Sequence, residues 1–205
     1  MKKLNENQNK GIKILKIIAM LFVFTLGITL ASVSIEIVQD LIRNPTIDIK
    51  EYNWEEYQVK NLILEKPDEY NLKKVDPQTP KELKPYTVDH TVYEFEGENL
   101  FFTINTLKYS DVVDINLEKG YVEMLSGMEN QGAEIINSKE DKVFISNKNA
   151  IRYKLDYNIY NYNYIQKGIN IIDSQRIYMI GLTYEKDFKS FNKVAEKILD
   201  SIKIE

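Results

Sequence analysis

Ala150-Ile151-Arg152-Tyr153-Lys154-Leu155-Asp156-Tyr157 alternates apolar and polar side chains from Ile151 onward. A period of two puts Ile151, Tyr153, Leu155 and Tyr157 on one face and Arg152, Lys154 and Asp156 on the other, the pattern of a half-buried β-strand. The alternation continues downstream. Tyr160, Tyr162 and Tyr164 interleave with Asn161, Asn163 and Ile165, and Asp173-Ser174-Gln175 turns the chain into the apolar residues 176–184. Upstream, residues 135–138 and 143–146 read as short strands around the polar turn Lys139-Glu140-Asp141-Lys142, and Asn147-Lys148-Asn149 turns again. Connections this short suit antiparallel hairpins, because a parallel crossover needs a dozen residues or more.

Outward from this meander the pattern changes to a helical period. Phe188, Phe191, Val194, Ala195, Ile198, Leu199 and Ile202 share one face, opposite Lys189, Lys193, Glu196, Lys197 and Asp200; Asp187 is the expected cap. On the N-terminal side, Asn116 caps a predicted helix whose apolar face is Leu117, Tyr121, Met124, Leu125 and Met128, with Gly132 as its stop. Before it, Thr91-Val92-Tyr93-Glu94-Phe95, the turn Glu96-Gly97-Glu98-Asn99 and residues 100–107 form a predicted hairpin. Residues 67–87 hold Pro67, Pro77, Pro80 and Pro85 and read as a surface loop; Val59, Leu62 and Leu64 read as a short strand ending at 66.

The N-terminal part is of another kind. Residues 17–35 are 19 uncharged residues rich in Ile, Leu, Phe and Val. As a helix they extend about 28 Å, at about 1.5 Å per residue, close to the ~30 Å hydrocarbon core of a bilayer. Lys2, Lys3, Lys10, Lys13 and Lys16 precede the run against a single Glu6, which orients the N-terminus toward the cytoplasm. The competing reading is a signal peptide cleaved near Thr29-Leu30-Ala31 or Ser32-Val33-Ser34, and the length of the run favours an uncleaved anchor. The expected organisation is a cytoplasmic tail at 1–16, a transmembrane helix at 17–35, a linker at 36–58 and an extracytoplasmic domain at 59–205. The lipid bilayer is thus an expected partner through residues 17–35.

Composition narrows the chemistry. With no cysteine among 205 residues there is no disulfide, thiolate metal site or cysteine nucleophile, and a net charge of −4 argues against nucleic acid as a partner. His90 is the single histidine and reads as an ordinary surface or turn residue. The acidic groups Glu94, Glu96, Glu98 and Glu51, Glu55, Glu56 lack the spacing of a calcium loop and read as solvated charge. No Gly-x-Ser-x-Gly elbow and no phosphate-cradling glycine loop is present. No catalytic, cofactor or metal residue is therefore assigned. The unusual feature is 14 tyrosines. Tyr160, Tyr162 and Tyr164 project to one side of a strand. Uncovered, that side is a stacking platform for a protein or glycan partner at the cell surface; covered, the rings pack under a helix with hydroxyls at the rim.

The order strand, proline-rich loop, hairpin, helix, antiparallel meander and C-terminal helix resembles the PsbP-like fold family. The resemblance is carried by residues 150–157, Tyr164-Ile165-Gln166-Lys167, Ile177-Tyr178-Met179-Ile180-Gly181-Leu182-Thr183-Tyr184 and the helix from Phe191 to Ile198-Leu199-Asp200-Ser201-Ile202, with Leu62-Ile63-Leu64-Glu65-Lys66-Pro67 as the opening strand. It implies an α+β domain in which an antiparallel sheet of six to seven strands is sandwiched by helices, here behind one N-terminal transmembrane helix. It also implies a non-catalytic binding or assembly role and transfers no metal or ligand residue. The rival functions are a cell-envelope hydrolase and a ligand sensor with a short cytoplasmic tail.

Overall fold

The computed structural model describes residues 52–77, 79, 83–97, 99–160 and 162–205. The tail at 1–16, the apolar run at 17–35, the following residues to 51, and Glu98 lie outside the described residues. Among the described residues, no helix is long and apolar enough to cross a membrane.

Among the described residues, ten strands and two α-helices follow one another as β1 (Trp54–Val59), β2 (Leu62–Pro67), β3 (Lys73–Val75), β4 (Thr87–Glu96), β5 (Leu100–Tyr109), α1 (Leu117–Asn130), β6 (Glu134–Ile145), β7 (Lys148–Ile159), β8 (Tyr162–Asp173), β9 (Arg176–Glu185), α2 (Ser190–Asp200) and β10 (Lys203–Ile204). Seven strands form an antiparallel sheet in the order β3-β4-β5-β9-β8-β7-β6, and β1-β2-β10 form a separate three-stranded sheet. The predicted α+β sheet of six to seven strands is present, with the small sheet as an addition.

The large sheet buries both faces. On one side α1 sets Tyr121, Met124 and Met128 against Tyr153, Leu155 and Met179. On the other, α2 and the small sheet set Phe191, Val194, Ile198, Leu62 and Leu64 against Phe102, Ile104, Ile169 and Ile180. Burying each such side chain contributes about 1.5–3 kcal/mol. Arg152 on β7 spans Glu196 and Asp200 on α2, and Lys167 on β8 also reaches Glu196, so charges fasten the helix where the apolar stripe ends.

Local chemistry explains the element ends. The Asn116 side chain accepts from the Lys119 N–H at 2.9 Å, capping α1. At its other end Gly132 takes φ +91°, and the N–H groups of Gly132 and Ala133 return to the carbonyls of Glu129 and Met128, a left-handed stop that favours glycine. Ser146 and Asn147, at φ 48° and 64°, make the two-residue turn between β6 and β7, one position earlier than the predicted turn.

Four expectations are corrected. Residues 54–58 are not linker but belong to strand β1, which pairs with β2 across Lys60-Asn61, and the Lys197 ammonium lies 3.7 Å over the Trp54 ring. Lys139–Lys142 is not a turn but the middle of β6, which pairs with β7 along its whole length. β6 is the sheet edge and both its faces are largely exposed, so charges carry no burial penalty there. Asp187 does not cap α2; that helix starts after Lys189 with no side-chain cap. Finally, residues 67–87 are not all loop, since they contain β3 and a 3-10 turn at Lys84–Tyr86.

Candidate functional site

In an antiparallel sheet, directly opposed residues point to the same face. The register therefore lays out a grid beneath α1. One row runs Glu94, Thr103, Gly181, Gly168, Tyr153 across β4, β5, β9, β8 and β7. The row on one side is Val92, Asn105, Met179, Asn170, Ile151, and the row on the other is Glu96, Phe101, Thr183, Gln166, Leu155. Gly181 sits at the centre without a side chain. None of its eight neighbours is charged, and five of them are amides or hydroxyls: Thr103, Asn105, Thr183, Gln166 and Asn170.

These polar groups are inside the protein. Asn170 is fully buried, Gln166 is 2% exposed, and Thr103 and Thr183 are each 8% exposed. Thr103 Oγ1, Gln166 Oε1 and both amide atoms of Asn170 are sealed from solvent and make no hydrogen bond. Sealed polar atoms without partners are uncommon in folded proteins.

The two glycines differ. At Gly168 an added methyl would collide with the end of the Tyr153 ring and with the Ile180 carbonyl oxygen at 2.6 Å. At Gly181 an added methyl would sit 3.5 Å from Thr103 Cγ2, 3.5 Å from Gln166 Nε2 and 3.8 Å from the Tyr153 hydroxyl, all ordinary contacts. Gly181 could therefore carry a Cβ without displacing its neighbours, whereas Gly168 could not.

Burial also tunes the titratable groups around the grid. Glu94, half-buried beside Thr103, is raised above the ordinary carboxylate range by desolvation and then by Glu96. Burial raises Tyr153, with the nearby Tyr121 adding to the effect. His90 is lowered by burial, against opposing contributions from Asn105 and Asp89, and its Nδ1 lies 2.9 Å from Thr79 Oγ1.

The residues singled out from sequence fare differently. Tyr160, Tyr162 and Tyr164 are not one exposed platform. Tyr160 stands in the turn after β7 at φ 51° and is 62% exposed. Tyr162 is half-buried, and Tyr164 is buried against Tyr157 at 5.7 Å between ring centres, in the layer under α1. Burial takes the Tyr164 hydroxyl up to about 12. His90 is half-buried in β4 and not in a surface turn. Glu55 pairs with the buried Lys66. In the sequence the grid leaves only Gln166-x-Gly168-x-Asn170 and Thr103-x-Asn105, polar or glycine residues at alternate positions of apolar strands, which carry no information on the register that joins them.

No family model and no curated protein matches the sequence. Solved structures do. Cyanobacterial PsbP (CyanoP) from Synechocystis sp. PCC 6803 matches with a TM-score of 0.51 at 10% identity, covering 80% of this chain and 99% of that one. LpqN, involved in cell envelope biogenesis of Mycobacterium tuberculosis, matches with a TM-score of 0.43 at 11% identity over 76% of this chain and 92% of that one. The Pseudomonas aeruginosa protein of unknown function PA94 matches with a TM-score of 0.39 at 12% identity over 71% and 92%. Identities this low speak to architecture alone, and the CyanoP match establishes it: the chain has the PsbP-like fold.

Proposed function

We propose that this chain is a single-pass membrane protein, N-terminus in the cytoplasm, whose PsbP-like domain lies outside the membrane and has a non-catalytic binding or assembly role. The observation that carries this reading is the chemistry of the grid around Gly181. Amides, hydroxyls and a bare glycine recognise hydrogen-bonding groups, whereas proton transfer needs a positioned acid or base. Two further features support it. One is the basic tail, uncharged run and acidic remainder of the sequence; the other is the fold shared with CyanoP.

The test is topological first. Protease added to spheroplasts is expected to degrade residues 52–205 while the membrane is intact. Protection until lysis would refute the orientation. One observation favours the hydrolase alternative: Glu94 and Glu96 share a face, and the Glu94 pKa is raised. That alternative predicts envelope-polymer cleavage by the wild-type chain, abolished in Glu94→Gln. The binding reading predicts no cleavage by either.

A further inference from the structure

The two acids of α2, Glu196 and Asp200, are engaged by Arg152 and Lys167 of the sheet beneath. Its lysines are placed differently. Lys189, Lys193 and Lys197 are all exposed and follow one another at four-residue steps, so they form one row about 12 Å long at about 1.5 Å per residue. Among the described residues, none of the three pairs with a carboxylate. Helix stability does not account for the row. Lys189 stands at the start of α2, whose first turn carries no acid, and the positive end of a helix favours carboxylates over ammonium groups. Over residues 186–203 five lysines stand against three carboxylates, a local excess of positive charge in a chain of net charge −4.

The row ends where the N-terminal part of the chain joins the domain. The Lys197 ammonium lies 3.7 Å over the Trp54 ring, and Trp54 meets Tyr52 edge to face at 6.4 Å between ring centres. Both rings are half-buried. Residues 36–51 alone separate Tyr52 from the uncharged run, and at about 3.3–3.6 Å per residue they reach no further than ~55 Å. Trp, Tyr and Lys are the side chains that settle at the headgroup level of a bilayer. We propose that α2 docks on the surface of the bilayer that holds residues 17–35, with Lys189, Lys193 and Lys197 against anionic headgroups and Tyr52 and Trp54 at the edge of the contact. A soluble polyanion offers the same charge, but the bilayer is held within reach by the chain itself, which makes this contact intramolecular. Each lysine near an anionic surface multiplies the docked population about fivefold.

The inference rests on the reading of residues 17–35 as an anchor, and Trp54, the single tryptophan of the chain, reports on it separately. The full chain is reconstituted into phosphatidylcholine vesicles with or without phosphatidylglycerol. Each holds the same share of a lipid with a nitroxide on its headgroup, and Trp54 emission is recorded. Stronger quenching in the anionic vesicles is expected. It is expected to fall to the zwitterionic level in about 1 M NaCl, where the screening length shrinks to about 3 Å. Lys189→Gln with Lys193→Gln leaves Lys197 over Trp54 and is expected to lower the ratio of docked to undocked chain about 25-fold; the salt dependence serves if that variant does not fold. Equal quenching in both vesicles, quenching indifferent to salt, or wild-type quenching by the folded variant would overturn the proposal. So would emission that responds to added polyphosphate but not to phosphatidylglycerol, which would give the row to a soluble polyanion. An alkaline carbonate wash tests the anchor. A chain washed off by carbonate yet quenched more by anionic vesicles would overturn the anchored reading alone. A chain that is retained but quenched equally in both would overturn this inference alone.

Discussion

Gly168 and Gly181 are opposed on neighbouring strands, yet they answer to different constraints. Tyr153 occupies the space over Gly168, so Gly168→Ala forces the ring or the Ile180 carbonyl to move. The expected cost is about 1–3 kcal/mol, the range for overpacking, read as a lower midpoint in denaturant; an unchanged midpoint would mean Tyr153 has another place to go. His90 gives a residue-scale prediction in pH. Its folded pKa lies below the ordinary 6.5. It therefore contributes stability that is present above that value and lost as pH falls through the folded value. Glu94, Glu123 and Glu185 are raised from 4.5 by burial and run the other way: their contribution is present below that value and lost as pH rises through the folded one. The difference between wild type and His90→Gln isolates the histidine. The wild type is expected to lose stability relative to the variant below pH 6.5, and parallel curves would show that His90 is solvated as a cation in the folded protein.

Among the elements, α2 carries the clearest expectation. Ile198 is fully buried and Phe191 nearly so, in the core layer shared with β2, β8 and β9. Truncating either to Ala is expected to cost about 2–5 kcal/mol. A thermal melt that does not move would return this stripe to the role of a docking face. At β6 the expectation concerns association. Lys139 and Asp141 pair at 3.1 Å in the middle of an unpartnered edge, and charges at an edge oppose strand-to-strand pairing between molecules. Lys139→Val with Asp141→Val is expected to raise the mass seen by light scattering; a mass that stays put would show that the bulge between Ile135 and Asn137 protects the edge by itself. The same two elements show what the sequence can reveal. α1, α2 and β7 are legible because each buries one face, and burial imposes a period, whereas β5, β8 and β9 are buried on both faces and are legible as strands bounded by turn residues. β6 has almost no buried face, so Lys139-Glu140-Asp141-Lys142 carries no burial period and its charge alone resembles a turn. The grid was beyond reach for another reason. Thr103, Gly181, Gly168 and Tyr153 become neighbours only through the register of four strands, and no local pattern encodes that register.

At the scale of the whole molecule, the small sheet ties distant parts of the chain together. Lys203 and Ile204 pair with Ile63 and Leu62, the Glu65 N–H donates to Ser201 Oγ at 2.7 Å, and the Ile204 N–H donates to Ser146 Oγ at 3.0 Å. Deleting residues 203–205 removes buried Ile204 and is expected to cost about 1.5–3 kcal/mol; an unshifted melt would show that β1-β2 holds its place without a third strand. This pairing also sets an order of events during synthesis. Hairpins such as β4-β5 and β7-β8 close between near neighbours and form as soon as they emerge, while β2 meets its second partner across about 140 intervening positions, among the slowest contacts to close. A nascent chain halted anywhere before Lys203 therefore presents β2 with one edge open and Leu62 and Leu64 short of their final cover, and that edge is available to whatever captures unpaired strands.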